Sequence, residues 1–190
     1  MLAARRPDVL ERIVTGDPLW GGVANAVTMD FADLASIRIA VDRVEELHGR
    51  LDCAFNNGGV RQQPGPLDAT TDEDIDEQFP VNFRAHWTAM TAEAALIRRN
   101  GGGAIVHSSA LGSRRAIPPL PAYGAIKRAL NSTTETAAVT WAPQGIRVNG
   151  ITGWHRDGDD GGVGGGDPRA SSRRTTRRPN WGEWQSPGGR

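Results

Sequence analysis

Between about residues 23 and 152 the chain alternates short apolar runs with longer stretches whose apolar residues recur every three or four positions. Strand-sized runs separated by helix-sized ones mark parallel α/β architecture. Val23 to Thr28 reads as a short strand ended by Met29-Asp30. Leu34, Ile37, Val41, Val44 and Leu47 then form one helical stripe, with Asp33 at its start as a capping residue. Leu51 to Phe55 is a second strand running into the turn Asn56-Asn57-Gly58-Gly59. Thr71 with Asp74 has the spacing of a capping box, and Pro80 is expected to stop or kink the helix that follows. A further helix is predicted from residue 81 or 82 to Arg99. The break at Gly101-Gly102-Gly103 precedes a third strand, Ala104 to His107. A loop containing Pro118, Pro119 and Pro121 leads to a helix from about Ala122 to Trp141, and Arg147 to Ile151 closes the series as a fourth strand. Four strands in this order imply right-handed crossovers and a doubly wound parallel sheet with flanking helices.

The pattern ends abruptly near residue 154. From His155 onward the chain is dominated by Gly, Arg, Asp, Ser and Pro, with Val163 as its sole aliphatic residue larger than alanine. Such a segment buries too little apolar surface to offset its ordering entropy. The expected division is therefore a folded part over 1–153 and a disordered tail over 154–190, in which Trp154, Trp181 and Trp184 stand out. The 190 residues suffice for one domain with a sizeable core. A formal net charge of zero supplies no global field toward nucleic acid or membrane. Arg173-Arg174 and Arg177-Arg178 ahead of Trp181 and Trp184 resemble a single-strand-binding pattern, but Asp157, Asp159, Asp160 and Asp167 dilute it, and a nucleic-acid partner is disfavoured. No apolar run is long enough for a membrane span, and no metal site is predicted. The single cysteine, Cys53, excludes an internal disulfide and fits a reducing compartment, so a cytoplasmic protein is expected.

Basic residues are informative in another way. Of 22 lysines and arginines, only Lys127 is lysine, and it stands four residues after the only tyrosine, Tyr123. On a helix these side chains share a face. A phenol ordinarily titrates near pH ~10, so a tyrosine base at neutral pH needs a depression of roughly three units, about 4 kcal/mol. An ammonium held nearby in a low-dielectric cleft would supply part of it, and a helix N-terminus also favours the phenolate. The bland alternative is a solvated i,i+4 pair.

The set Leu51-Asp52-Cys53-Ala54-Phe55-Asn56-Asn57-Gly58-Gly59, Asn82, Ser108-Ser109, Tyr123-Gly124-Ala125-Ile126-Lys127 and Gly145-Ile146-Arg147-Val148-Asn149 resembles, in order and near-spacing, the short-chain dehydrogenase/reductase family. The resemblance covers about residues 1–153. It implies a Rossmann-type domain and hydride transfer between a nicotinamide cofactor and a carbonyl or secondary alcohol. By resemblance, Tyr123 is the general acid–base, and Lys127 lowers its pKa and binds the nicotinamide ribose. Ser109, in preference to Ser108, binds the substrate oxygen, and Asn82 holds a water in a proton relay. Asn82 also reads as a helix cap after Pro80, and His107 as structural. Asn56, Gly58 and Gly59 would form the turn beside the adenine ribose, with glycine at Gly58 where the family has alanine. Asp30 would contact the adenine ring, and Gly153 corresponds to the family's Pro-Gly.

The start of the chain, Ala3-Ala4-Arg5-Arg6-Pro7, is similar to the end of the family's second strand. NAD-preferring members carry an acid where this chain has Ala4. Arg5 and Arg6 would instead suit a 2′-phosphate, so NADP is expected in preference to NAD. A solvated basic turn is the competing reading. On this alignment the family's first strand and its Gly-x-x-x-Gly-x-Gly turn are missing. That would leave a hole in the sheet and remove a pyrophosphate-binding helix N-terminus. The divergent end resembles a truncated or frame-shifted product. The expectation is thus an incomplete oxidoreductase working as a homodimer or homotetramer, or alternatively an inactive remnant serving as an oligomerisation partner.

Overall fold

The computed structural model describes residues 1–16 and 22–152. The chain runs β1 (Leu2–Ala4), α1 (Pro7–Thr15), β2 (Ala26–Thr28), α2 (Leu34–His48) and β3 (Cys53–Asn56). It continues through α3 (Asp72–Phe79), α4 (Ala85–Arg99), β4 (Gly103–Ser108), α5 (Pro121–Trp141) and β5 (Ile146–Ile151). Every strand pairing is parallel, as crossover connections require. The boundary expected at residue 153, the tail and its tryptophans lie outside the described residues.

Local chemistry sets most element ends. Asp33 accepts a hydrogen bond from the Ala35 amide at 2.9 Å and starts α2, which stops at Gly49 in the left-handed conformation, φ 67°. Thr71 and Asp74 form the expected capping box at the head of α3. Pro80 does not stop the chain's helical path. Residues Pro80–Arg84 form a π turn joining α3 to α4, with Ala85 N–H donating to Pro80 O. The proline sits in the first turn of this widened segment, and the helical path continues through it. The strand expected from Val23 begins only at Ala26, and Val23 is exposed.

The sheet is not continuous. β1 pairs with β2, and β3 with β4 and β5, as two separate sheets. The larger sheet carries the main core, in which Met90, Ala94 and Ile97 of α4 and Ala137 of α5 pack on Ile105, Ile146 and Val148. A second cluster, Ile37 with Ala85 and Ala89, joins α2 to α4 and so ties the two sheets together. Between them lies a cavity of about 720 Å³ with Met1, Leu2 and Ala3 on one side and Leu51, Cys53, Ala54 and Phe55 on the other. The polar end of the cavity, where the strands' C-terminal turns gather, belongs to the candidate site.

Candidate active site

The turn after β3 is held from one face of α4 and the π turn. Asn82, fully buried, closes a pair of hydrogen bonds with the Val60 backbone: its Oδ1 accepts from N–H at 3.1 Å and its Nδ2 donates to C=O at 2.9 Å. His86 Nε2 donates to Gly58 O at 2.9 Å. Glu93 Oε2 accepts from Asn56 Nδ2 at 2.8 Å. Residues 82, 86 and 93 share a helical face, and their partners are 60, 58 and 56. Two further buried residues crowd the same turn, Gln78 and Gln62.

Glycine is required twice in this turn. A Cβ at Gly58 would lie 2.6 Å from Phe31, whose ring packs edge-on to His86 at 5.2 Å. The departure from the family's alanine therefore accompanies a phenylalanine that fills the alanine's space. A Cβ at Gly59 would stand 2.9 Å from Asn82 Oδ1 and 3.9 Å from Lys127 Nζ.

The bond to Gly58 O, which can only accept, fixes the imidazole tautomers. His86 carries its proton on Nε2, so its Nδ1 accepts from His107 Nδ1–H across 3.2 Å. His107 Nε2 is left as a buried acceptor with no partner among the described residues. Burial, followed by the charge of Lys127, pulls His86 down to about 3 and His107 to about 4, so both rings are neutral at physiological pH. His107 belongs to a buried polar chain that sequence reading missed. Glu93 was missed as well. Burial pushes its carboxyl up to about 7, against a smaller opposing effect of the Asn56 hydrogen bond.

α5 brings Tyr123 and Lys127 onto one face. The Tyr123 amide, in the first turn of α5, is capped by Gln62 Oε1 at 3.0 Å. Lys127 is buried, donates to Ser108 O at 3.0 Å, and its Nζ stands 5.8 Å from the Tyr123 ring centre. Burial pulls Lys127 down to about 8. The depression expected for Tyr123 is absent: burial raises the phenol above its usual range. The ammonium is turned to a backbone carbonyl, and desolvation dominates both groups.

Ser109 does not face the tyrosine through any hydrogen bond among the described residues. Its Oγ lies 2.6 Å from Asn131 Oδ1 and 3.0 Å from Ser113 Oγ. Ser113 gives its own proton to Ala110 O and accepts from Asn131 Nδ2 at 2.7 Å. The Ser109 proton therefore goes to Asn131, and giving it to another oxygen requires it to swing away.

The remaining predicted residues lie nearer the other sheet. Arg5 lines the cavity, together with Asp30, Asn56, Gly58 and Gly59. Asp30 Oδ1 accepts from the Ala32 amide at 2.9 Å, so one carboxylate oxygen already shapes the turn after β2. Arg6 is exposed and occupies the N-cap position of α1. Gly153 lies outside the described residues. Among those residues there is no cluster of three or more metal-ligating side chains, and no helix is long and apolar enough to cross a membrane.

The family model described as enoyl-(acyl carrier protein) reductase matches residues 13–165. The chain is 36% identical over 132 residues to oxidoreductase UcpA of Salmonella typhimurium, covering 69% of this chain and 50% of that protein. It is 31% identical over 151 residues to galactitol 2-dehydrogenase of Agrobacterium fabrum, covering 79% and 59%. The chain thus spans about half the length of the curated relatives it matches. Among solved structures it is similar to NAD+-bound xylitol dehydrogenase, with a TM-score of 0.75, 26% identity, and coverage of 80% of this chain and 58% of that one.

Proposed function

The chain belongs to the short-chain dehydrogenase/reductase family, and from that membership we propose that it transfers hydride between NADP(H) and a carbonyl or secondary alcohol. The observation that carries this reading is the buried Lys127 ammonium on the Tyr123 face of α5, against the glycine turn at Gly59. When bound, the nicotinamide cofactor supplies or accepts the hydride. The residues present fit such a group, because Gly59 has no room for a side chain beside Lys127 and because Arg5, Asp30 and Gly58 line one cavity. Arg5, with Arg6 beside it, would meet a 2′-phosphate, and Asp30, Asn56, Gly58 and Gly59 would border the adenosine. Lys127 would hold the nicotinamide ribose, and Gly153 would follow beyond β5. NADP remains the choice because Ala4 offers no acid to a ribose hydroxyl, although xylitol dehydrogenase was solved with NAD+.

Tyr123 gives its proton to the substrate oxygen in reduction. A phenol raised by burial is protonated at neutral pH, as a proton donor to a carbonyl must be. Alcohol oxidation needs the phenolate, which Lys127 would favour only after its ammonium turns from Ser108 O toward Tyr123. Ser109 serves the substrate oxygen once its proton leaves Asn131. Asn82, clamped on Val60, orders the relay side of Lys127. Homodimers or homotetramers would form through α4 and α5, which expose Trp87 and Val139, and the single cysteine suits a cytoplasmic setting.

A second reading, an inactive remnant acting as an oligomerisation partner, is favoured by the interruption between β1 and β3. NADPH titration followed by fluorescence separates the two. Binding tighter than millimolar supports the enzyme, and no binding leaves the remnant. Given binding, Tyr123→Phe should reduce turnover at least a hundredfold while leaving NADPH affinity within about twofold. Loss of both would make Tyr123 structural and refute its acid–base role.

A further inference from the structure

We propose that Gln62 is a positioning residue for Tyr123: carried on the loop that follows β3, its side chain caps the helix that bears the phenol and so sets where the phenol stands. The proposal rests on the hydride-transfer reading for its purpose, because it names a residue that serves the acid–base group. Its geometry holds without cofactor.

α5 begins without a side-chain cap of its own. Leu120 stands at the N-cap position and offers no acceptor, and Pro121 at the first helical position has no N–H to satisfy. The first hydrogen bond of the helix runs from Gly124 N–H to Leu120 O at 3.0 Å. The Tyr123 N–H, one residue earlier, needs an acceptor from outside the helix. Gln62 Oε1 supplies it at 3.0 Å from 61 residues away in the sequence. Gln62 is 3% exposed, so little water competes for the bond.

The loop that carries Gln62 is itself fixed. Asn82 clamps Val60 through both of its main-chain groups, at 3.1 and 2.9 Å. Gln78, also buried, lies between the two: its side-chain amide comes within 2.7 Å of Asn82 Nδ2 and 3.3 Å of the Gln62 backbone nitrogen. Gly65 N–H donates to Pro119 O at 3.0 Å, two residues ahead of α5. The head of α5 is thus pinned twice to a loop whose other end is gauged by the π turn. Neither glutamine lines the cavity between the sheets.

Tyr123 and Lys127 consequently have separate anchors. Lys127 is tied to β4 through Ser108 O at 3.0 Å, and Tyr123 to the loop through Gln62. The 5.8 Å between Nζ and the ring centre is the separation those two anchors set. An uncapped first turn frays, and fraying carries Tyr123 away while Lys127, one turn deeper, stays with β4. A frayed turn also hydrates the phenol, whose proton affinity is now raised by burial. Loss of the cap therefore lowers the phenol's titration midpoint toward its ordinary value.

Tyr123 is the chain's only tyrosine, so ¹⁵N-tyrosine labels one backbone amide and ¹³Cζ-tyrosine one ring. Both are followed on the full chain without cofactor. Gln62→Met keeps the side chain's length and lacks its oxygen; it should speed deuterium exchange of the Tyr123 amide about tenfold, as loss of an ordinary cap does. The ¹³Cζ midpoint should fall by about half a unit or more. Gln62→Glu keeps an oxygen in place, so exchange should stay within about threefold of wild type. Its midpoint should hold or rise, because a carboxylate opposes the phenolate. Equal exchange in wild type and Gln62→Met overturns the proposal. So does faster exchange with an unmoved midpoint, since Gln62 then caps the helix without positioning the phenol. If Gln62→Met does not fold, an unprotected Tyr123 amide in the wild type overturns the proposal, and protection shared by wild type and Gln62→Glu supports it. NADPH titration decides the hydride-transfer reading separately, because none of these signals needs cofactor.

Discussion

Replacing Glu93 by glutamine tests the electrostatics of the α4 face directly. Burial raises the carboxyl from its ordinary 4.5 to about 7 in the folded chain. The folded state therefore binds the proton more tightly than the unfolded state. Below the unfolded pKa both states are protonated and the group costs nothing. As pH rises from 4.5 toward 7, the unfolded chain ionises while the folded one resists, and stability falls by about 1.4 kcal/mol per pH unit. Above about 7 the loss levels off near 3 kcal/mol in total, the linkage equivalent of the shift. Glu93→Gln keeps the acceptor for Asn56 Nδ2, which Glu93 Oε2 now holds at 2.8 Å, and cannot ionise. Urea unfolding at a series of pH values should show the two proteins equally stable near pH 4.5, with the variant ahead by about 3 kcal/mol at pH 8. A difference independent of pH, or one that favours the wild type as pH rises, would refute a buried, neutral Glu93.

Gly58→Ala sets a Cβ against the Phe31 ring, and overpacking of this kind should cost about 1–3 kcal/mol in urea unfolding. Adding Phe31→Leu should recover most of it; a neutral single variant would show that the turn yields freely. Long-range ¹H–¹⁵N spectra should find the Nε2–H tautomer at His86 and Nδ1–H at His107, with neither ring titrating between about pH 5 and 8. Because both pKa values are lowered, these rings destabilise the fold as pH drops below their unfolded value of 6.5. An imidazole titrating near that value would contradict the buried pair.

Much of the fold was legible because its signals are local. Asp33 and the stripe behind it, the Thr71–Asp74 box and the Gly101–Gly103 break each act over a few residues. Pro80 was read as stopping or kinking a helix, and α3 does end at Phe79, but the π turn that carries the helical path on into α4 is not announced by sequence alone. β1 has three residues and no periodicity to read, so it emerged only from the likeness of residues 3–7 to a strand end. The Tyr123–Lys127 spacing put the two residues on one face of α5, but the sign of the Tyr123 shift depends on burial, which spacing does not encode. His86 and Glu93 look like surface residues when read by polarity. Their recurrence with Asn82 at 82, 86 and 93 was the available signal, since that spacing defines one helix face.

That face of α4 works as a ruler. Asn82 of the π turn and His86 and Glu93 of α4 meet the backbone of 60 and 58 and the side chain of 56, so one continuous helical face measures out every second residue of the turn that follows β3. An apolar face would tolerate sliding by a residue, because oily contacts are non-directional. Here a one-residue slip strands three buried polar groups together, at about 1–3 kcal/mol each. The turn is therefore gauged by α4 and the π turn even while one side of β3 has no neighbour among the described residues.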